Sequence, residues 1–281
     1  MREFAEFQVD EQFASMLFGE HEGKRLGDFV RKVELQTSDP RYERVGELQR
    51  NLRLSKGKPF YYGWSLTYKY SPREISAALL LRLKITAVFE PAGEECGTKY
   101  DESMACPRCG AGAKQTTPLF LDVTRIPKDK DFCRTIAGEI VISRRAMELL
   151  ARHGITGAEL SPVRSSRSSS AESNNWFQLA VPNATAEIIA PTRVGIDPFD
   201  DDEKCEGRCA LGDLIGLNLL SEVTIRATTL CDSDFACSRQ FIGTRRGLLR
   251  PERVILISPK LASLIVSEKI RGSEIEVAQC V

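Results

Sequence analysis

Polar residues outnumber apolar ones over residues 1–60, and this stretch reads as a helical or irregular lead-in. Within it Tyr42, Val45 and Leu48 fall on one helical face. Asp39 precedes them as a cap, with Pro40 at the first helical position, where a missing N–H goes unnoticed. The aromatic run from Phe60 to Tyr70 has the residues of a strand. A helix start follows, with Ser71 as N-cap, Pro72 behind it and Glu74 three positions on. Ile75, Ala78 and Leu79 supply its apolar face until Arg82 interrupts it, and Ile85 to Phe89 reads as the next strand.

The same pattern then occurs twice. Asp131-Phe132 precedes Ile140-Val141-Ile142-Ser143, a helical run and Gly157-Ala158-Glu159; Asp234-Phe235 precedes Ile255-Leu256-Ile257-Ser258, a helical run and Gly272-Ser273-Glu274. Ser to Gly is 14 positions in both segments, and Cys106 to Asp131 and Cys209 to Asp234 are both 25. Upstream, Gly97 to Asp101 matches Gly195 to Asp200 with one extra residue. Each segment reads as strand, cysteine-bearing hairpin, two strands, helix, turn and strand. Ser143 and Ser258 are the expected helix N-caps, and Gly157 and Gly272 the turns into the last strands.

The pattern predicts an α+β fold built on a tandem duplicated unit, with antiparallel strands and one main helix per copy. The expected organisation is a lead-in over 1–60, a first copy over 61–163, a Ser-rich linker over 164–175 and a second copy over 176–281. The second copy carries an Arg- and Gly-rich insertion from Arg239 to Glu252, an exposed loop suited to binding.

Composition narrows the function. Lys plus Arg equals Asp plus Glu at 39 each, which argues against a dedicated binder of the DNA backbone. No stretch reaches the roughly 18 apolar residues that cross a bilayer, and the charged N-terminus lacks the core of a signal peptide. A cytoplasmic protein is expected, and with it metal rather than disulfides at the clustered cysteines.

Cys106-Pro107-Arg108-Cys109-Gly110 has the spacing of a zinc-knuckle half-site, because two intervening residues let both thiolates face one ion. Cys96-Gly97 resembles the end of a partner knuckle whose leading position is Gly93. Cys96, Cys106 and Cys109 are thus the predicted ligands of a structural zinc, with Glu94, Glu95, Cys133 or water open as the fourth. In the second copy Cys205 and Cys209 have three intervening residues instead of two, with Cys231 and Cys237 downstream; a second metal site competes there with loss of the metal after duplication.

Other chemistry is thin. His21 and His153 are the two histidines, and neither stands in a constellation for hydrolysis. No phosphate loop or dinucleotide fingerprint occurs. The acidic run from Asp197 to Glu203 reads as a solvated loop before it reads as a cation site. Arg239, Arg245, Arg246, Arg250 and Arg253, interleaved with Phe241 and Leu248-Leu249, form a basic segment that could dock an acidic protein surface or contact phosphates.

The knuckle at Cys106–Gly110, the upstream Cys96-Gly97 and the repeated Asp-Phe, Ile-Ser and Gly-x-Glu positions resemble the double-CXXCG motif proteins of myxobacteria. That group includes immunity proteins that neutralise contact-delivered toxins. The resemblance covers residues 83–163 and, more weakly, 176–278. Gly93 departs from the family pattern, as does the cysteine spacing of the second half. The resemblance implies an intracellular protein that binds a protein partner and is not an enzyme. The expected function is therefore an immunity-type, toxin-neutralising protein with structural zinc. The alternative is a nucleic-acid-associated zinc-ribbon protein using residues 239–253.

Overall fold

Alternation hidden under a polar composition organises the N-terminal region. In Arg2–Asp10 (β1) Ala5, Phe7 and Val9 are buried on one face while Glu6 and Gln8 take the other. In Val30–Gln36 (β3, after α1 at Glu11–Ala14 and β2 at Lys24–Leu26) Val33 and Leu35 do the same. Arg31 is buried beside them because Glu11 receives its guanidinium through two hydrogen bonds, of 2.9 and 2.5 Å. The computed structural model describes residues 1–166, 172–200 and 216–281. The chain divides into two compact units, Met1–Glu74 with Asp197–Asp201, and Ile75–Ile196 with Asp202–Val281.

The expected lead-in over 1–60 is thus three strands and two helices, and the outward-facing residues of β1 and β3 and the exposed β2 made its composition look irregular. The predicted amphipathic helix is present but runs the full length Arg41–Lys56 (α2) and stops at Gly57, whose φ of 63° closes the C-terminus. Its N-cap is Pro40, one residue later than expected, while Asp39 accepts from the Arg41 N–H at 2.9 Å. The aromatic strand is Tyr61–Lys69 (β4), and it pairs with β1, so it completes this first sheet instead of opening a repeat. The sheet order β2-β3-β1-β4 is antiparallel throughout, a split β-α-β arrangement. Gln49 of α2 ties the helix to β4, its Oε1 accepting from the N–H groups of Phe60 and Tyr61 at 2.6 and 3.0 Å. Gly46 leaves the notch in which Phe199 lies, since a Cβ there would come within 2.6 Å of the Phe199 ring.

The short helix Pro72–Ala77 (α3) has the expected capping box, with the Ser71 N–H donating to Glu74 at 2.7 Å and Glu74 N–H to the Ser71 hydroxyl. Arg82 does not end a helix; it lies in Leu80–Ile85 (β5), whose alternate Leu81, Leu83 and Ile85 enter the core.

The second unit is mixed α+β, built on two larger sheets. Its remaining elements are Val88–Phe89 (β6), Tyr100–Asp101 (β7), Lys114–Gln115 (β8), Phe120–Leu121 (β9), Phe132–Thr135 (β10), Ile140–Ser143 (β11), Arg144–Arg152 (α4) and Glu159–Ser165 (β12). Then follow Glu172–Ala180 (β13), Val194–Gly195 (β14), Asn218–Leu219 (β15), Thr224–Ile225 (β16), Phe235–Ile242 (β17), Glu252–Ile257 (β18), Pro259–Ser267 (α5) and Ser273–Cys280 (β19). One sheet has the order β6-β10-β11-β13-β12-β9 and the other β16-β19-β5-β18-β17. The early strand β5 sits between β18 and β19, and β13 sits between β11 and β12. Arg82 of β5 meets Glu276 of β19 across the register at 2.8 Å.

Both sheets contribute to one core, in which Leu81, Phe132, Ile142, Leu149, Phe235 and Leu261 pack together. Ser143 and Ser258 cap α4 and α5 through their hydroxyls, as expected. Each also donates to an aspartate, Ser143 to Asp131 at 2.8 Å and Ser258 to Asp234 at 2.6 Å. Each aspartate then accepts a backbone N–H from the turn after the opposite helix, Asp131 from Arg271 and Asp234 from Thr156, both at 3.0 Å. Gly157 and Gly272 follow those turns at φ 89° and 99°, where a Cβ would collide with the carbonyl oxygens of Phe235 and Phe132. Among the described residues no helix is long and apolar enough to cross a membrane.

Candidate functional site: the cysteine turn and its arginine clasp

Between β7 and β8 the chain makes the turn that carries Cys106 and Cys109. The Cys106 N–H donates to the Ala111 carbonyl and the Gly110 N–H to the Cys106 carbonyl, both at 2.8 Å, with Gly110 at φ 79°. The two cysteines are 7% and 1% exposed and cluster with Ala111 against Phe241. Cys96 is half-buried on a separate 3-10 turn, Glu94–Cys96, closed by Gly97. The turn thus brings together two of the three predicted ligands, and no group of three or more potential metal ligands forms among the described residues.

The candidate fourth ligand Cys133 lies in β10 beside Leu121, Val141 and Trp176, and burial pushes its thiol up to about 12. Such a thiol is protonated at neutral pH. In the second half Cys237 donates to the carbonyls of Val181 and Asn183 at 3.4 Å, and burial pushes it up to about 11. Cys231 lies 3.0 Å from the Ser233 hydroxyl. Cys205 and Cys209 lie outside the described residues, as do residues 167–171 of the Ser-rich linker and 201–203 of the acidic run. The linker's flanks are strand, belonging to β12 and β13.

The basic segment lies on the cysteine turn. Arg245 donates to Glu102 at 2.6 Å, and its side chain lies where a Cβ on Gly110 would be 3.3 Å away. Arg250 donates to Glu94 at 3.1 Å and Glu102 at 2.6 Å, and its guanidinium stacks 4.4 Å from the Tyr100 ring centre. Burial works against the Arg250 charge, but its hydrogen bonds to the two glutamates outweigh it and raise its pKa. Glu102 is held below its usual range by Arg245 first and Arg250 second. Arg253 stacks on Phe241 at 4.0 Å and donates to the Ser238 carbonyl at 2.7 Å, and Arg239 reaches Glu187 at 3.4 Å. Arg246 is exposed and has no ion-pair partner among the described residues.

Beside this clasp is a cleft of about 220 Å³, with Tyr100, Glu139, Gln178, Arg250 and Glu252 among its walls. Glu139 is 8% exposed and accepts from Gly93 N–H at 3.2 Å, from the Tyr100 hydroxyl at 3.0 Å and from the Thr135 hydroxyl. Burial, and then the Glu139 charge, push the Tyr100 phenol well above its ordinary range. Gln115 and Gln178 exchange amide hydrogen bonds of 3.1 and 2.7 Å.

Sequence reasoning found the cysteines and the arginines but not Glu94 and Glu102 as their counter-charges, nor Glu139 and Tyr100. The one available signal for Glu139 was a lone carboxylate directly before the apolar run Ile140-Val141-Ile142. His21 and His153 are both exposed, and His153 is the C-cap of α4. The acidic run behaves differently from a solvated loop at its start: Asp197 is 9% exposed, and Phe199 lies against Tyr42 with ring centres 4.8 Å apart. The sequence matches no protein-family model and no curated protein.

Proposed function

We propose that this chain is a cytoplasmic protein-binding protein of the immunity type, which neutralises a toxin by occupying its surface, and is not an enzyme. One observation carries this choice over nucleic-acid binding. Arg239, Arg245 and Arg250 are committed to Glu187, Glu94 and Glu102 within the chain, and Arg253 to the Ser238 and Arg239 carbonyls and the Phe241 ring, so among the described residues Arg246 is the one arginine of segment 239–253 whose side chain has no partner. A backbone binder needs several.

The duplicated α+β unit belongs to the same proposal. The matched Asp131 and Asp234 contacts, capping serines and turn glycines support it. So does structural zinc at Cys96, Cys106 and Cys109, for which the buried Cys106–Cys109 turn supplies two thiols on one side. Zinc there would clamp the hairpin on which the arginine segment rests.

The test is titration of the purified chain with the product of the reading frame immediately upstream of its gene, and separately with duplex DNA at several salt concentrations. A stoichiometric protein complex with negligible DNA affinity is expected. DNA binding that weakens steeply with salt, with no protein complex, would favour the alternative. Metal analysis of protein prepared without chelator tests the zinc; folded, metal-free protein with all thiols free would remove it.

A further inference from the structure

Charge can be balanced around the cleft residue by residue. Arg245 and Arg250 face Glu94 and Glu102, two charges against two. Arg134 faces Glu252 at 2.8 Å. Glu139 is left over. It lines the cleft, is 92% buried, and its three hydrogen-bond donors (a backbone amide and two hydroxyls) are all neutral. No cation among the described residues pairs with it. A buried carboxylate without a counter-charge is costly, and a carboxylate has room for about four hydrogen bonds, so one acceptor position of Glu139 is open.

We propose that this cleft receives a lysine or arginine side chain from a protein partner, with Glu139 as its counter-ion. Size supports a side chain over a cofactor. The cleft holds about 220 Å³, below the roughly 300–1,000 Å³ of small-molecule sites. Its walls match the shape of such a residue: Ile140, Leu179 and Pro251 give an apolar lining for the methylene stem, and Glu139 and Glu252 meet the charged head. An apolar rim adjoins it. Ile136, directly before the cleft residue Ala137, is 38% exposed and donates its N–H to Phe89, whose neighbour Val88 is 52% exposed. A recessed charge beside exposed aliphatic residues is the anatomy of an interface anchor point. The inference rests on the protein-binding reading and names the chemistry that the partner presents.

The probes are Nα-acetyl-arginine methylamide and Nα-acetyl-lysine methylamide, with the neutral citrulline analogue as control. Each is titrated into the full chain and followed by backbone amide NMR shifts. The basic probes should saturate at millimolar concentration and move the resonances of Gly138, Glu139 and Gln178. Citrulline should bind at least about tenfold more weakly, as should either basic probe to Glu139→Gln. Because Glu139 also holds Gly93, Tyr100 and Thr135, the more exposed Glu252→Gln serves as the second variant and should weaken binding severalfold. Equal binding of arginine and citrulline, unchanged binding in both variants, or no saturation would overturn the proposal. None of these results needs the partner, so the cleft can fail while a partner complex is still observed, and the reverse.

Discussion

The Asp234 carboxylate accepts the backbone N–H of Thr156 at 3.0 Å, across 78 positions of sequence, and on its other oxygen the Ser258 hydroxyl at 2.6 Å. Asp131 makes the corresponding bonds to Arg271 and Ser143. Each aspartate therefore joins the cap of one helix to the turn after the other. Replacing Asp234 by Ala leaves the part-buried Thr156 N–H and Ser258 hydroxyl without their acceptor, and should cost about 1–2 kcal/mol in urea unfolding. Asp131→Ala should cost a similar amount, and the two losses should not add if the joint is broken by either.

The pH dependence of stability follows from the same carboxylate. Burial tends to raise the Asp234 pKa, but bonds from Ser258, Thr156 and Lys260 outweigh it, and the folded value lies below the unfolded one. The folded state thus holds fewer protons there, and its contribution is complete above the unfolded pKa of about 4. It is lost as pH falls from there through the folded value. Stability should be level in this respect between neutrality and about pH 5 and fall below about pH 4, with a shallower fall in Asp234→Asn. Urea titrations at stepped pH measure it.

Gly157→Ala and Gly272→Ala should each destabilise by about 2–4 kcal/mol, since both positive φ and collision with a carbonyl oxygen oppose the new methyl group. Gly154→Ala is the control. Its φ is 58° but nothing lies within 4 Å of an added Cβ, so it should cost about 1 kcal/mol. Equal losses at the three sites would show that the close approach is unimportant.

Arg250→Ala should cost about 2–3 kcal/mol, because Glu94 and Glu102 lose a partner and Tyr100 a stacked guanidinium; the exposure of Glu102 keeps the figure below that of a fully buried pair. Arg246→Ala should stay within about 0.5 kcal/mol. Thermal unfolding of both variants distinguishes an arginine segment held inside the fold from one held out to solvent.

The helix caps and the turns beyond them were legible because their markers are local. A serine that caps a helix and a glycine that turns beyond it carry their conformations in their own chemistry, and Ser143, Ser258, Gly157 and Gly272 stand where the spacing put them. The N-terminal sheet was illegible for an equally local reason: Ala5, Phe7 and Val9 alternate, but Glu6, Gln8 and the buried Arg31 dilute the signal. Pairing partners were beyond reach. Leu81, Leu83 and Ile85 announce a strand, yet nothing in them says that it inserts between β18 and β19. The arginines were visible and their fate was not, because Glu94 lies 156 positions from Arg250.

The central claim is neutralisation through a protein surface, and cell growth tests it most directly. The product of the upstream reading frame is expressed in a sensitive host, alone and together with this chain. The account predicts arrest in the first case and restored growth in the second, accompanied by a complex of the two proteins. Arrest that persists with the folded chain present, or an upstream product with no effect on growth, would contradict it.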